Sequence, residues 1–350
     1  NTSARRDDLP PLDRTMLAAL VAAKVIVHIP GLFRYGYFRD ELYFLDCARH
    51  LDWGYVDCAP LVAVYAKVAL LLGGSLPALR VLPLLAGAGM VALTVLLTAR
   101  LGGGRFAQLL TGLAILIAPV HLMIGSILSM NAFEPLFWLG CVLVLVRIAR
   151  GGNPRLWLVF GALAGLGLMN KHSTLFFGLA VAVGVLATPL RRELARPWIW
   201  LGAALALAIF LPNLLWQWQH GFPTLEDLRN VRATGKNVEL APLQFITQQV
   251  LMMHPATLPV WLAGLWFLFF GRGRSFRAIG WTFLVLLGTL MALAGKDYYL
   301  APAYPMLLAA GGAAVEGWTA RVARPGSRSV VRGLAIAWLA VPGAIMAPLF

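Results

Sequence analysis

The chain has 350 residues, of which 60% are hydrophobic and only 13% charged, and its formal net charge is +14. Apolar runs this long and this frequent exclude an ordinary water-soluble domain, because they exceed what a water-soluble core buries and must face lipid. The basic residues are scattered over short turns and do not form one patch with interleaved aromatics, which argues against a nucleic-acid surface.

In chain order, the first apolar run covers 15–30. It follows Arg5, Arg6 and Arg14, carries Lys24 and His28, and lacks a small-residue cleavage site, so it reads as a retained signal anchor. Further spans are expected at 79–99, 106–120, 132–149, 156–170, 173–189, 198–215, 256–271, 278–294, 298–318 and 333–349, about eleven in all. The runs are rich in Leu, Ala and Val and do not alternate, so each satisfies its own backbone as a helix and not as a barrel strand. The expected fold class is all-α, a polytopic membrane protein forming one domain over 1–350.

Two connections are long enough to hold a site. The loop 31–78 contains an amphipathic stretch in which Phe38, Leu42, Leu45, Ala48 and Leu51 share one helical face, expected to lie along the membrane surface. After Trp53-Gly54, the run 60–72 is too short to span and is broken by Lys67 and Gly73-Gly74, which predicts a second interfacial helix. The loop 216–241 has Trp216, Trp218 and Phe222 at its membrane edge, followed by a polar segment at 226–239 suited to closing over a substrate.

With the N-terminus inside, the positive-inside rule collects Arg100, Arg105, Arg147, Arg150, Arg155, Arg272, Arg274 and Arg277 on the cytoplasmic side. The outer side is chemically mixed, with Arg39, Lys171, Lys236 and Lys296 beside Asp40, Glu41, Asp57, Glu134 and Asp297. Chemistry is therefore expected outside, and the paired carboxylates Asp40 and Glu41 are the first acid/base candidates. Adjacent helical residues point about 100° apart, so Asp40 is chosen as the base and Glu41 as an orienting or substrate-binding group. Their bland alternative is to cap or solvate a helix start. Lys171 and Lys296 stand where spans meet the outer side, at the level of a lipid phosphate, and Arg39 adjoins Asp40; snorkelling is the alternative for the lysines. An acidic residue such as Glu134 at the end of a span is costly unless it is paired or wet.

The stretch Asp40-Glu-Leu-Tyr-Phe44, followed by His50-Leu-Asp-Trp-Gly-Tyr-Val-Asp-Cys-Ala-Pro60, resembles the first-loop signature of the GT-C glycosyltransferases related to protein O-mannosyltransferases and to the aminoarabinose transferase of lipid A. Asn170-Lys-His-Ser-Thr174 and Gly295-Lys-Asp-Tyr-Tyr-Leu-Ala-Pro-Ala-Tyr-Pro305 resemble that family's basic outer turns. The resemblance implies a GT-C fold in a bacterial inner membrane and a polyprenyl-phosphate sugar as donor. It further implies a periplasmic acceptor, either a glycolipid, a polysaccharide or a protein hydroxyl.

On this reading Asp40 and Glu41 are catalytic, while Lys171, Lys296 and Arg39 bind the donor phosphate. Asp297, Tyr298, Tyr299, Tyr304, His172, Asn131 and Glu134 bind substrate. Two departures stand out. Asn131 occupies a place where the family often has Asp, so that role is lost or has moved to Glu134; and Asp57-Cys-Ala-Pro60 replaces a His-Pro-Pro. Cys47 and Cys58 share the outer loop and form either a disulfide or two packed thiols.

No metal-ligand spacing is visible, so no structural metal is expected and at most a divalent cation near Asp40. Gly102-Gly-Gly104 reads as a tight turn, and a nucleotide sugar is not expected as direct donor. Relatives continue into further domains or helices where this chain runs into the apolar stretch 334–350, so no soluble C-terminal domain is expected within it. The alternative from another class is a transporter or lipid flippase, with a lipid-binding scaffold third. Transporters place functional charges at the midplane on repeated, broken helices, whereas here only Lys24 lies well inside a span.

Overall fold

The computed structural model describes residues 9–235 and 239–346. Arg5, Arg6 and Lys236, counted above in the charge balance, lie outside the described residues, as does the end of the 333–349 run. Among the described residues there is no β-strand. They form α1 (Arg14–His28), α2 (Arg39–Arg49), α3 (Leu61–Leu71), α4 (Leu76–Arg100), α5 (Arg105–Leu116), α6 (Pro119–Ile124), α7 (Met130–Ala149) and α8 (Leu156–Asn170). The chain continues through α9 (Thr174–Leu186), α10 (Pro197–Gln219), α11 (Pro223–Ala233), α12 (Pro242–Met252), α13 (Leu258–Phe269), α14 (Arg277–Ala292), α15 (Tyr304–Thr319) and α16 (Pro325–Met346).

Every expected span coincides with a helix, yet the count of eleven crossings does not follow. Among the described residues 6 helices are long and apolar enough to cross a membrane, or 8 if each of two bent pairs is one span. The reason is length: α5 and α8 have only 12 and 15 residues, and α15 has 16, against the roughly 20 needed to cross the hydrocarbon.

α15 is the centre of the bundle. Its Leu307, Leu308, Ala309 and Ala310 have no exposed surface, and it packs on α13, α5 and α4. Lipid tails are as apolar as Leu, so helix association here depends on close approach. Gly264 of α13 and Gly311 of α15 supply it, since a Cβ on either would strike a backbone carbonyl of the other helix. Gly161 of α8 and Gly202 of α10 repeat the device. α10 and α16 turn large apolar side chains outward, among them Trp200, Leu207, Val341 and Ile345.

The arginine turns gather at one end of the bundle. Arg105 pairs with Asp13, Arg150 donates to the carbonyl of Arg100, and Arg155 stacks on Trp198. Two short helices, α2 and α3, form within 31–78 and pack on one another. In α2, Phe44, Leu45 and Ala48 pack with Val62, Ala66 and Leu79 in a small second core, whereas Phe38, Leu42 and Leu51 are exposed. The buried stripe includes Glu41.

Candidate active site

The position of Asp40 is set by its neighbour. Glu41 is fully buried at the start of α2, where it accepts hydrogen bonds from the backbone N–H groups of Phe38 (2.8 Å) and Leu128 (3.0 Å). Arg80, near the start of α4, closes on it with Nε at 3.2 Å and Nη2 at 3.1 Å. The same guanidinium donates to the carbonyls of Gly31, Arg34 and Gly36 at 2.7, 2.7 and 2.5 Å. An unpaired charge at that depth is unfavourable by several kcal/mol, roughly, so the pair and its hydrogen bonds fix the first loop as a unit. Both Glu41 oxygens are thus occupied by protein donors, and Glu41 anchors the first loop. Arg80 was missed as a site residue. Its signal was an Arg just inside an apolar helix, a position tolerated only with a partner.

Beside that anchor, Asp40 points about 100° round α2 from Glu41; its side chain is 45% exposed, with Arg39 Nε 2.9 Å away. Arg39 is itself exposed and mobile enough in reach to meet an anion beside the carboxylate.

A second buried pair lies behind the site. Glu134 of α7 accepts from Lys171 Nζ at 2.9 Å and from the Ser173 hydroxyl. The Lys171 ammonium stands 4.1 Å from the Tyr299 ring centroid and 6.0 Å from that of Tyr298. The Lys171 charge is thus met by Glu134 and lies against an aromatic face. The pairing also explains how an acidic residue is tolerated on α7. Asn131, one turn earlier, places Nδ2 3.4 Å from Ser129 Oγ and leaves Oδ1 buried without a partner among the described residues.

Tyr298 and Tyr299 belong to a 3-10 turn over Asp297–Ala303, capped where the Asp297 carboxylate accepts from Tyr298 N at 2.8 Å. The Tyr298 hydroxyl is raised above its ordinary value by burial first, then by Tyr299, Asp297 and Asp40. Tyr304 does not join them. It is buried in α15 between Trp261 and Phe283, a core residue and not a substrate ligand.

Beyond Tyr299 opens a cavity of about 670 Å³. Lys296, Arg229 and Arg232 line it together with Glu239 and with apolar side chains that include Phe176, Leu228 and Leu290, so cations outnumber the carboxylate. Cations at the rim of an apolar slot suit a molecule with an anionic head and a hydrocarbon tail. The two arginines come from α11, inside the loop 216–241, and were not singled out in the sequence; their cue was a basic pair at i, i+3 on a polar helix next to aromatic membrane-edge residues.

His172 turns away from the cavity. Its Nε2 lies 3.0 Å from Asn213 Oδ1 of α10, and burial holds its imidazole below the ordinary value of 6.5. Cys47 and Cys58 are buried free thiols. Among the described residues no three His, Cys, Asp or Glu side chains come together to hold a metal ion.

Comparison with known proteins adds the following. Residues 57–216 match the family model described as dolichyl-phosphate-mannose-protein mannosyltransferase. The lipid A galacturonosyltransferase RgtD of Rhizobium johnstonii is 28% identical over 274 residues, which cover 75% of this chain and 56% of that protein. ArnT from Cupriavidus metallidurans, in the apo state, matches with a TM-score of 0.69 at 19% identity, over 96% of this chain and 65% of that one. ArnT bound to undecaprenyl phosphate gives 0.70 at 16% identity, with the same coverage. An oligosaccharyltransferase from Archaeoglobus fulgidus, tethered to an acceptor peptide, gives 0.66 at 13% identity, over 95% of this chain and 54% of that one. The chain thus spans little more than half the length of the curated relative it matches. The likeness nonetheless runs through almost the whole helical body: this chain is a polytopic membrane protein with the GT-C fold, resembling the protein O-mannosyltransferases and the lipid A sugar transferases.

Proposed function

We propose that the chain is an inverting glycosyltransferase that moves a sugar from a polyprenyl-phosphate donor to a hydroxyl on the periplasmic side of a bacterial inner membrane. The supporting observation is the cation-lined apolar cavity at the Tyr299 turn, together with the partly exposed Asp40 carboxylate at the start of α2, next to the buried Glu41–Arg80 anchor. The family model names a prenyl-phosphate sugar, and one solved relative holds undecaprenyl phosphate, which supports the same donor class.

In this reading Asp40 removes the acceptor's proton as its oxygen attacks the anomeric carbon. The bond from that carbon to the phosphate oxygen breaks, and its electron pair leaves with the lipid phosphate. Little protonation of the leaving group is needed, so the work is electrostatic: Lys296, Arg229 and Arg232 hold the charge that grows on the phosphate. Arg39 guides the donor or steadies Asp40. The Glu134–Lys171 pair supports Tyr299 from behind, and Asn131, His172 and Asp297 shape the surroundings and do not contact the sugar. Of the acceptor classes, a glycolipid of the lipid A kind is favoured over a polysaccharide or a protein by the galacturonosyltransferase relative.

Transfer from a synthetic polyprenyl-phosphate sugar tests this reading. Asp40→Asn is expected to lower turnover by about 10³ while folding and polyprenyl-phosphate binding persist; undiminished turnover would sink it. A divalent cation beside Asp40 belongs to the same proposal, and transfer that continues unchanged in EDTA removes the cation from it.

A further inference from the structure

α11 carries two of the three cations that line the cavity, yet no residue of α11 is buried. Apolar packing therefore does not hold it in place. What holds it is a polar stripe on α10, the helix before it. Asn213 and Gln217 lie one turn apart, at the i, i+4 spacing that puts two side chains on one face, and both are buried.

Gln217 Nε2 donates to Thr224 Oγ1 at 2.8 Å, and Thr224 N donates back to Gln217 Oε1 at 3.3 Å, which ties the first turn of α11 to α10. The same Nε2 donates to the carbonyl of Tyr55 at 3.2 Å. Tyr55 belongs to the loop after the Asp40 helix, and its hydroxyl donates to the carbonyls of Cys47 and His50, both at 3.1 Å, at the end of α2. Asn213 Nδ2 donates to the carbonyl of Trp53 at 2.8 Å, while its Oδ1 meets His172. Between the two contacts Gly54 lies against the Trp216 ring with no room for a Cβ. One side chain, Gln217, thus joins the helix of the proposed base to the helix of the proposed phosphate ligands.

We infer that Gln217, supported by Asn213, is a positioning residue that fixes α11 against the loop following α2 and so sets Arg229 and Arg232 opposite Asp40. The inference rests on the glycosyltransferase reading for its consequence, though not for its geometry. Its test uses the full chain in nanodiscs with spin labels at Val56 and Asn230, both exposed. The distance distribution between the labels is expected to be narrow in the parent and broad in Gln217→Ala. Binding of polyprenyl phosphate alone should weaken by about tenfold, the loss associated with one to two hydrogen bonds.

Thr224→Val removes a single hydroxyl from a half-exposed position and is expected to broaden the distribution in the same direction, which keeps the test decisive if Gln217→Ala folds poorly. A distribution that stays narrow in both variants overturns the inference, as does lipid-phosphate affinity that is unchanged when α11 is loosened. Broadening in a protein whose parent transfers no sugar would leave the clamp standing and remove the glycosyltransferase reading.

Discussion

Two buried ion pairs lie at the Asp40 end of the bundle, Arg80 with Glu41 and Lys171 with Glu134. Arg80 holds Glu41 at full burial, so Arg80→Met is expected to lower stability by about 3–5 kcal/mol, because the carboxylate is left charged and unpaired. Chemical denaturation in detergent measures it, and a loss near zero would mean that Glu41 is not held as the structure has it. Lys171 and Lys296 separate on the same principle. Lys171→Ala leaves Glu134 buried without its partner and is expected to lower stability by about 3 kcal/mol. Lys296→Ala faces the cavity and is expected to spare stability while weakening polyprenyl-phosphate binding by about tenfold. Thermal unfolding and lipid binding measured on both variants check the pair, and a reversed pattern would exchange their roles.

At the scale of elements, the turn between α8 and α9 is joined to α10 through a histidine. Burial holds the His172 imidazole below 6.5 and keeps it neutral at pH 7, paired with Asn213. A depressed histidine contributes stability that is complete above the unfolded value of 6.5 and is lost as pH falls through the folded value. Stability is thus expected to decline as the pH is lowered from 6.5, and His172→Gln, which keeps a hydrogen bond to Asn213 without titrating, should reduce that decline. Unfolding midpoints across pH 4.5–7.5, about the span in which an imidazole titrates, measure it; identical slopes would refute the assignment. Legibility at this scale was uneven. Both short helices of the first loop were readable as runs too short to span, but what anchors α2 was not. Its decisive residue, Glu41, is polar, and it is buried by an arginine 39 positions away.

Over the whole molecule the charges divide between two ends. The arginine-only turns meet around Arg100, Arg105, Arg150 and Arg155, while Asp40, Glu134, Lys171 and Lys296 meet at the other end. The positive-inside rule then predicts that Val56→Cys, near Asp40, reacts with an impermeant maleimide in intact cells. Asn153→Cys, in the turn between α7 and α8, should react only after permeabilisation. The opposite pattern would place Asp40 in the cytoplasm and end the proposed function.

The sequence by itself determined the membrane class, the helical fold and the place of the apolar runs. These follow from local quantities: hydropathy over some twenty residues, charge between runs, and motifs a few residues long. Only the tertiary structure decided what the charged groups do. It spent Glu41 on Arg80 and Lys171 on Glu134, sent Tyr304 into the core, and brought Arg229 and Arg232 to the cavity beside Lys296. The physical reason is that a charge in a low-dielectric setting is governed by its nearest partner in space, and those partners are supplied by helices far apart along the chain.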